Sequence, residues 1–294
     1  MRPRSSRADD RAGPPGAPAW RLPGTFRHLP GLTDEPWLAR IAFLVCKSLR
    51  GICEVTSTHA NRIVRASAEY VWELWTDRSA LASWLFVDAG ESRLEEGNEF
   101  RWTATLRTDR PMIFTGTVLQ AKRARHLRLS WDLDVSGTTS TVDIEIKPLG
   151  DDAEVAITHD GLPESDLGLF EANGFSYYWP DHLDRLAAHA ERRAPSHHHE
   201  LHIGPHFVGG HPALGLLVRG VAVGSPAYVA GMRAGDILRT LDGVPVREIP
   251  DCDQWLMSRA YGDVASFGLA RGNFSAKLVP PPWTPSAPQA DVGE

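Results

Sequence analysis

Between Gly224 and Val246 the sequence leaves the backbone little choice. It reads Gly224-Ser-Pro-Ala-Tyr-Val-Ala-Gly-Met-Arg-Ala-Gly-Asp-Ile-Leu238, then Asp242-Gly-Val-Pro-Val246. Gly231 and Gly235 fall where short turns need positive φ, and Pro226 suits the first position of a short helix. Asp242-Gly243 marks a hairpin-type turn between apolar runs. Each of these residues has a backbone task, and a run of this length does not arise by chance.

That segment uses a minority of the 294 residues, and 42% hydrophobic content with ten Trp supplies material for two cores. A net charge of −6 lacks the basic excess that neutralises phosphates, so a nucleic-acid partner is excluded. Cys46, Cys53 and Cys252 are odd in number and have no C-x-x-C spacing, which points to neither a disulfide framework nor a zinc site, and to a reducing cytoplasm. Residues 1–57 open Met1-Arg-Pro-Arg-Ser-Ser-Arg and continue Gly13-Pro-Pro-Gly-Ala-Pro18, with no apolar periodicity before Leu38. They read as a disordered leader or as residues upstream of a true start near Val55, and both readings stay open. The apolar run Ile41 to Cys46 is far short of the roughly 20 residues of a membrane span.

From residue 58 to 193 the pattern is α+β. Asn61 to Ala66 is a first extended segment, and Ser67 then caps a helix with Glu69 in its first turn. Val71, Trp72, Leu74 and Trp75 form its apolar stripe, and Leu81, Trp84 and Leu85 repeat the spacing after a break at Asp77-Arg78. Period-two alternation follows in Phe100 and Trp102; Phe114, Gly116 and Val118; Leu127, Leu129 and Trp131; Val142, Ile144 and Ile146; Val155 and Ile157. Arg128, Ser130, Asp132, Asp143, Glu145 and Lys147 fall on the other face, as in an antiparallel sheet wet on one side. A helical stretch begins after Gly161-Leu-Pro163, and Trp179-Pro180 is expected to restart it, because proline suits a first helical turn and not an interior. Its stripe of Leu183, Leu186 and Ala190 would cover the sheet, giving a helix grip.

Ala66-Ser67-x-Glu69-x-Val71-Trp72, Gly116-x-Val118, Leu127-x-Leu129-x-Trp131, Thr158-His159-x-Gly161-Leu162 and Trp179-x-x-x-Leu183-x-x-Leu186 together resemble the START-like (SRPBCC) superfamily. The branch they resemble is named for activators of the ninety-kilodalton heat-shock protein's ATPase. The resemblance implies a cavity between helix and sheet, for which Trp72, Trp75, Phe100, Trp102, Phe114, Trp131, Phe175 and Trp179 are the lining candidates. Aromatics at such spacings ordinarily fill a core, so only the implied fold makes a pocket of them. Tyr178 stands where that family usually has glycine before the tryptophan, and a phenol there would reshape the cavity mouth. Acid–base candidates are few: His159, Asp160, Arg101 and Glu99, with His159 in a turn that suits a structural hydrogen bond.

Six histidines crowd between 197 and 211, in a stretch marked as an interdomain linker over 194–202 by Pro195, Gly204 and Pro205. His199-Glu-Leu-His202 has the wrong spacing for the helical two-histidine zinc motif, so no metal and no cofactor is assigned. Residues 203–280 resemble a PDZ domain of the bacterial, HtrA-like type, a small β-barrel with two helices. The resemblance places Leu214, Gly215 and Leu216 as a backbone nest for a peptide's terminal carboxylate. Val218 and the helix from Pro250 to Ala260, with Trp255, Leu256 and Met257, would form the groove; Trp255 can equally face the core. The Pro-rich tail over 281–294 reads as disordered.

Gly224-Ser225-Pro226-Ala227 is a turn and not a nucleophile elbow, and no length remains for a protease domain. The combined reading is a cytoplasmic binding or adaptor protein, of co-chaperone or stress-related type by the branch name. It would hold an apolar small molecule or lipid in one half and a partner's C-terminal peptide in the other. The alternative is a cyclase- or hydratase-type enzyme using the same cavity.

Overall fold

The computed structural model describes residues 57–195 and 201–282, all within one compact unit. The expectations for the leader, the tail beyond 282, Cys46, Cys53 and His197 to His199 fall outside them.

Seven antiparallel strands form the first sheet: β1 (Ser57–Val64), β2 (Val87–Asp88), β3 (Glu99–Ala104), β4 (Ile113–Lys122), β5 (His126–Asp132), β6 (Thr139–Leu149) and β7 (Asp152–Asp160). Their order, β1-β7-β6-β5-β4-β3-β2, is a meander whose last strand takes the N-terminal strand onto its free edge. The alternation decides the faces. Leu127, Leu129, Trp131, Val142, Ile144, Ile146, Val155 and Ile157 are buried, while Arg128, Asp132, Glu145 and Lys147 face solvent.

Ser67 caps helix α1 (Ala68–Thr76), its hydroxyl accepting from the Tyr70 amide at 3.3 Å. Asp77 ends α1 and opens α2 (Arg78–Trp84), its carboxylate accepting from the Ala80 amide at 2.8 Å, so one residue makes the expected break. Helix α3 (Asp166–Glu191) corrects the expectation at Pro180: it is one continuous helix of 26 residues with that proline inside it. A lone interior proline removes one backbone donor and disturbs one turn. Here both flanks are held by burial, Phe170, Ala172 and Gly174 before it and Leu183, Leu186 and Ala187 after it.

The second half comprises β8 (Pro205–His211), β9 (Gly215–Val221), α4 (Pro226–Val229), β10 (Ile237–Leu241), β11 (Val244–Pro245), α5 (Ile249–Leu256), β12 (Val264–Leu269) and β13 (Gly272–Lys277). The sheet order is β13-β12-β10-β9-β8, with β11 paired to β10. Gly231 and Gly235 take φ of 100° and 86°, and Asp242-Gly243 turns with φ of 49° and 81°, the positive values their positions demand. Helix α5 stops at Leu256, short of Ala260, because the amides of Ser258 and Arg259 turn back to Trp255 and Leu256 in a tighter final turn.

The two halves share a packed seam. Phe170 of α3 and Val135 cluster with Val208, Leu214, Leu217 and Ile237. Asp109 accepts from the amides of Val221 (2.7 Å) and Ala234 (2.9 Å), and Arg219 pairs with Asp134 at 2.9 Å. Among the described residues no helix is long and apolar enough to cross a membrane.

Candidate functional site

A cavity of about 230 Å³ opens where sheet, α3 and β8 meet. Trp102, Phe114, Trp131, Phe175 and Trp179 line it, as do Ala104 of β3, Met112 just before β4, and Phe207, Val208 and Arg219 from the second half. Five of the eight aromatics expected at a cavity are therefore brought together. Trp72, Trp75 and Phe100 are not among the lining residues. Trp75 packs edge-on against Trp84 with centroids 4.7 Å apart, and Phe100 lies behind Trp102 and Trp131. All three are buried in the core cluster that includes Val71, Leu74 and Leu81 of α1 and α2.

Trp131 is the hub of the cavity, with Phe114, Trp102 and Trp179 at 5.5, 6.0 and 6.0 Å, mostly tilted or edge-on. Tyr178 lines the cavity, and its hydroxyl donates to the carbonyl of Phe207 at 2.9 Å. The phenol thus ties this part of the lining to β8.

His159 is fully buried and its bonds have one direction. The Trp179 indole N–H must donate to Nδ1 (3.2 Å), so Nε2 carries the proton and donates to the Ser140 hydroxyl (2.7 Å), which in turn donates to the Trp131 carbonyl (3.1 Å). This relay ties α3 to three strands and leaves no free basic nitrogen beside the serine. Burial pushes His159 down to about 3, so it is neutral. Asp160, Arg101 and Glu99 do not line the cavity.

The polar groups of the cavity were not read from the sequence. Asp181, His182 and Arg185 project from α3, and His206 and Arg219 from the second half. Burial pushes both His182 and His206 down to about 4. Arg185 is held by Asp181 at 2.8 Å, and Arg219 also lies 5.7 Å from the Phe114 ring centroid. Trp102 Nε1 and His182 Nδ1 are buried with no hydrogen-bond partner. The i, i+3, i+4, i+7 spacing of Tyr178, Asp181, His182 and Arg185 is the signal that places them on one helical face.

The proposed carboxylate loop has a different geometry. The Leu214 amide donates to the His211 carbonyl at 3.2 Å, closing the β8–β9 turn. Gly215, Leu216 and Val218 lie in β9, which is paired along both edges, to β8 and to β10. The Val218 amide donates to the Asp236 carbonyl at 2.9 Å. Trp255 is buried and its indole donates to Asp242 at 3.1 Å, so it faces the core; Leu256 is half-buried and Met257 exposed. The edge strands of this sheet are β8 and β13. Among the described residues no three His, Cys, Asp or Glu side chains are grouped as a metal site requires.

Residues 65–191 match the family model described as Activator of Hsp90 ATPase homolog 1-like protein, and residues 217–265 match that of the PDZ domain. No curated protein matches the chain. Among solved structures, the protein encoded by gene BPP1335 of Bordetella parapertussis is 23% identical, with a TM-score of 0.41, over 51% of this chain and 82% of its own. Protein CV1439 of Chromobacterium violaceum is 22% identical, with a TM-score of 0.41, over 46% and 97%. A protein from Arthrobacter aurescens is 16% identical, with a TM-score of 0.42, over 53% and 100%.

Proposed function

For a chain that joins an Activator of Hsp90 ATPase homolog 1-like domain to a PDZ domain, we propose a binding function: uptake of a small apolar molecule at the junction of the two halves. The observation that carries this reading is the aromatic lining around Trp131, with Phe114, Trp102 and Trp179 at 5.5–6.0 Å and Phe207 and Val208 on the facing wall.

Size narrows the ligand. An apolar cavity of about 150 Å³ accepts benzene, and pockets for drug-sized ligands run to about 300–1,000 Å³. At about 230 Å³ the cavity suits a one- or two-ring molecule better than a lipid. The enzymatic alternative draws no support from Ser140 and His159, whose hydrogen bonds run in the wrong direction for an activated nucleophile. A cytoplasmic location accords with Cys252, a buried free thiol.

Native mass spectrometry of protein purified from its own host, followed by titration with indole and naphthalene, tests the proposal. Retention of a small molecule, or saturable uptake of a probe that Ala104→Leu abolishes, is the expected result. A wild-type protein that retains nothing and binds neither probe would refute it.

A further inference from the structure

The second sheet ends in β13 on one side and β8 on the other, and β8 is the edge that runs beside α5, so an extended segment of another chain adding there would lie between strand and helix. That edge is covered by α3. Tyr178 donates to the Phe207 carbonyl at 2.9 Å, and the Gly210 amide donates to Asn173 Oδ1 at 2.7 Å, so side chains of a helix satisfy main-chain groups that an added strand would pair. One residue earlier on the helix, Tyr177 donates to Asp253 of α5 at 2.6 Å. The helix therefore bonds to both β8 and α5.

Backbones meet without side chains between them. A Cβ on Gly174 would collide with the Val208 carbonyl, and one on Gly209 with the Phe170 carbonyl. Glycine in a helix interior costs about 1 kcal/mol relative to alanine, and glycine within a strand marks close approach of another backbone. Both costs are accepted at the same contact.

We propose that α3 is the resident occupant of the second domain's strand-adding edge, so that an extended peptide segment of a partner protein pairs with β8 only after the helix lifts. The contact is autoinhibitory, and the chain rests in a closed state. This inference requires the second half to be a peptide-recognition domain but does not require the cavity to hold a ligand, so either can fail alone.

Gly174→Ala in the full chain is the discriminating variant. Alanine improves the helix itself while its methyl prevents the close approach to β8, so the change acts on docking. Amide exchange at Gly210 should speed by about a hundredfold or more, with Leu216 and Ile237 unchanged. A library of peptides with free C-termini ending in Val, Leu or Ile should bind the variant at least tenfold tighter than the wild type. Equal binding by both overturns the proposal. Faster exchange with no peptide bound by either also overturns it, and makes the contact a structural seam alone. Should Gly174→Ala fail to fold, Asn173→Ala, which removes one acceptor and adds no bulk, must shift exchange and peptide affinity the same way by several-fold; no shift refutes the proposal.

Discussion

The interior of the first half has a solid end and a hollow end built from the same kinds of residue. Under α1 and α2, Trp75 and Trp84 meet edge to face, the Trp84 indole donates to the Leu74 carbonyl at 2.9 Å, and aliphatic Val71, Leu74 and Leu81 fill the gaps. Around Trp131 the neighbours are mainly other rings at 5.5–6.0 Å, and stiff planar rings do not collapse into the space they leave. The wall that closes the space is β8, from the other domain. An aromatic-rich interior thus becomes core or cavity according to what covers it, and an unusual cover makes the cavity.

The ends differ also in titratable groups, which gives the largest expected effect. His159, held near 3, and His182 and His206, held near 4, all belong to the hollow end. Their ordinary value is about 6.5, so on acidification the unfolded chain takes up protons that the folded chain refuses. Stability is complete above pH 6.5 and is lost as the pH falls, by up to about 4 kcal/mol per pH unit between pH 6 and 4 at about 1.4 kcal/mol per group. Urea unfolding at pH 7 and pH 5 measures it, and a midpoint that does not fall would break the comparison. Next in size, Trp75→Ala in the solid end should cost about 3–5 kcal/mol and leave probe uptake unchanged in the folded protein. Phe114→Ala at the hollow end should cost less, about 1.5–3 kcal/mol, because its ring is only half-buried, while weakening binding of indole in the same titration. Smallest in stability is Ala104→Leu, which grows into the cavity: a change within about 1 kcal/mol by thermal unfolding, with loss of uptake.

Much of the fold was legible, because strand alternation and the glycine positions of 224–246 are local constraints. Ser67 as a cap and Gly231, Gly235 and Gly243 at positive φ follow from backbone chemistry alone. The cavity was legible in part. Trp102 and Trp72 carry the same inward signal and share one core cluster, yet only Trp102 lines the cavity. The carboxylate loop was assigned by motif position, and the placing of β9 between β8 and β10 is a long-range feature that a motif does not carry. Pro180 misled because propensity describes an isolated helix, whereas burial of both flanks holds this one. The seam left a trace in Asn173-Gly174 and Val208-Gly209-Gly210, small residues whose meaning depends on a partner distant in sequence.

The central claim is that the hollow end is an apolar binding site with one wall from each domain. Xenon enters dry apolar cavities without needing a specific group, so nuclear magnetic resonance under xenon pressure tests the claim without knowledge of the natural ligand. The account predicts saturable shifts at Trp131 and Phe175 together with Phe207 and Val208 of β8, and none at Trp72 or Trp75. Absence of saturable shifts, or shifts confined to the first domain, would contradict it.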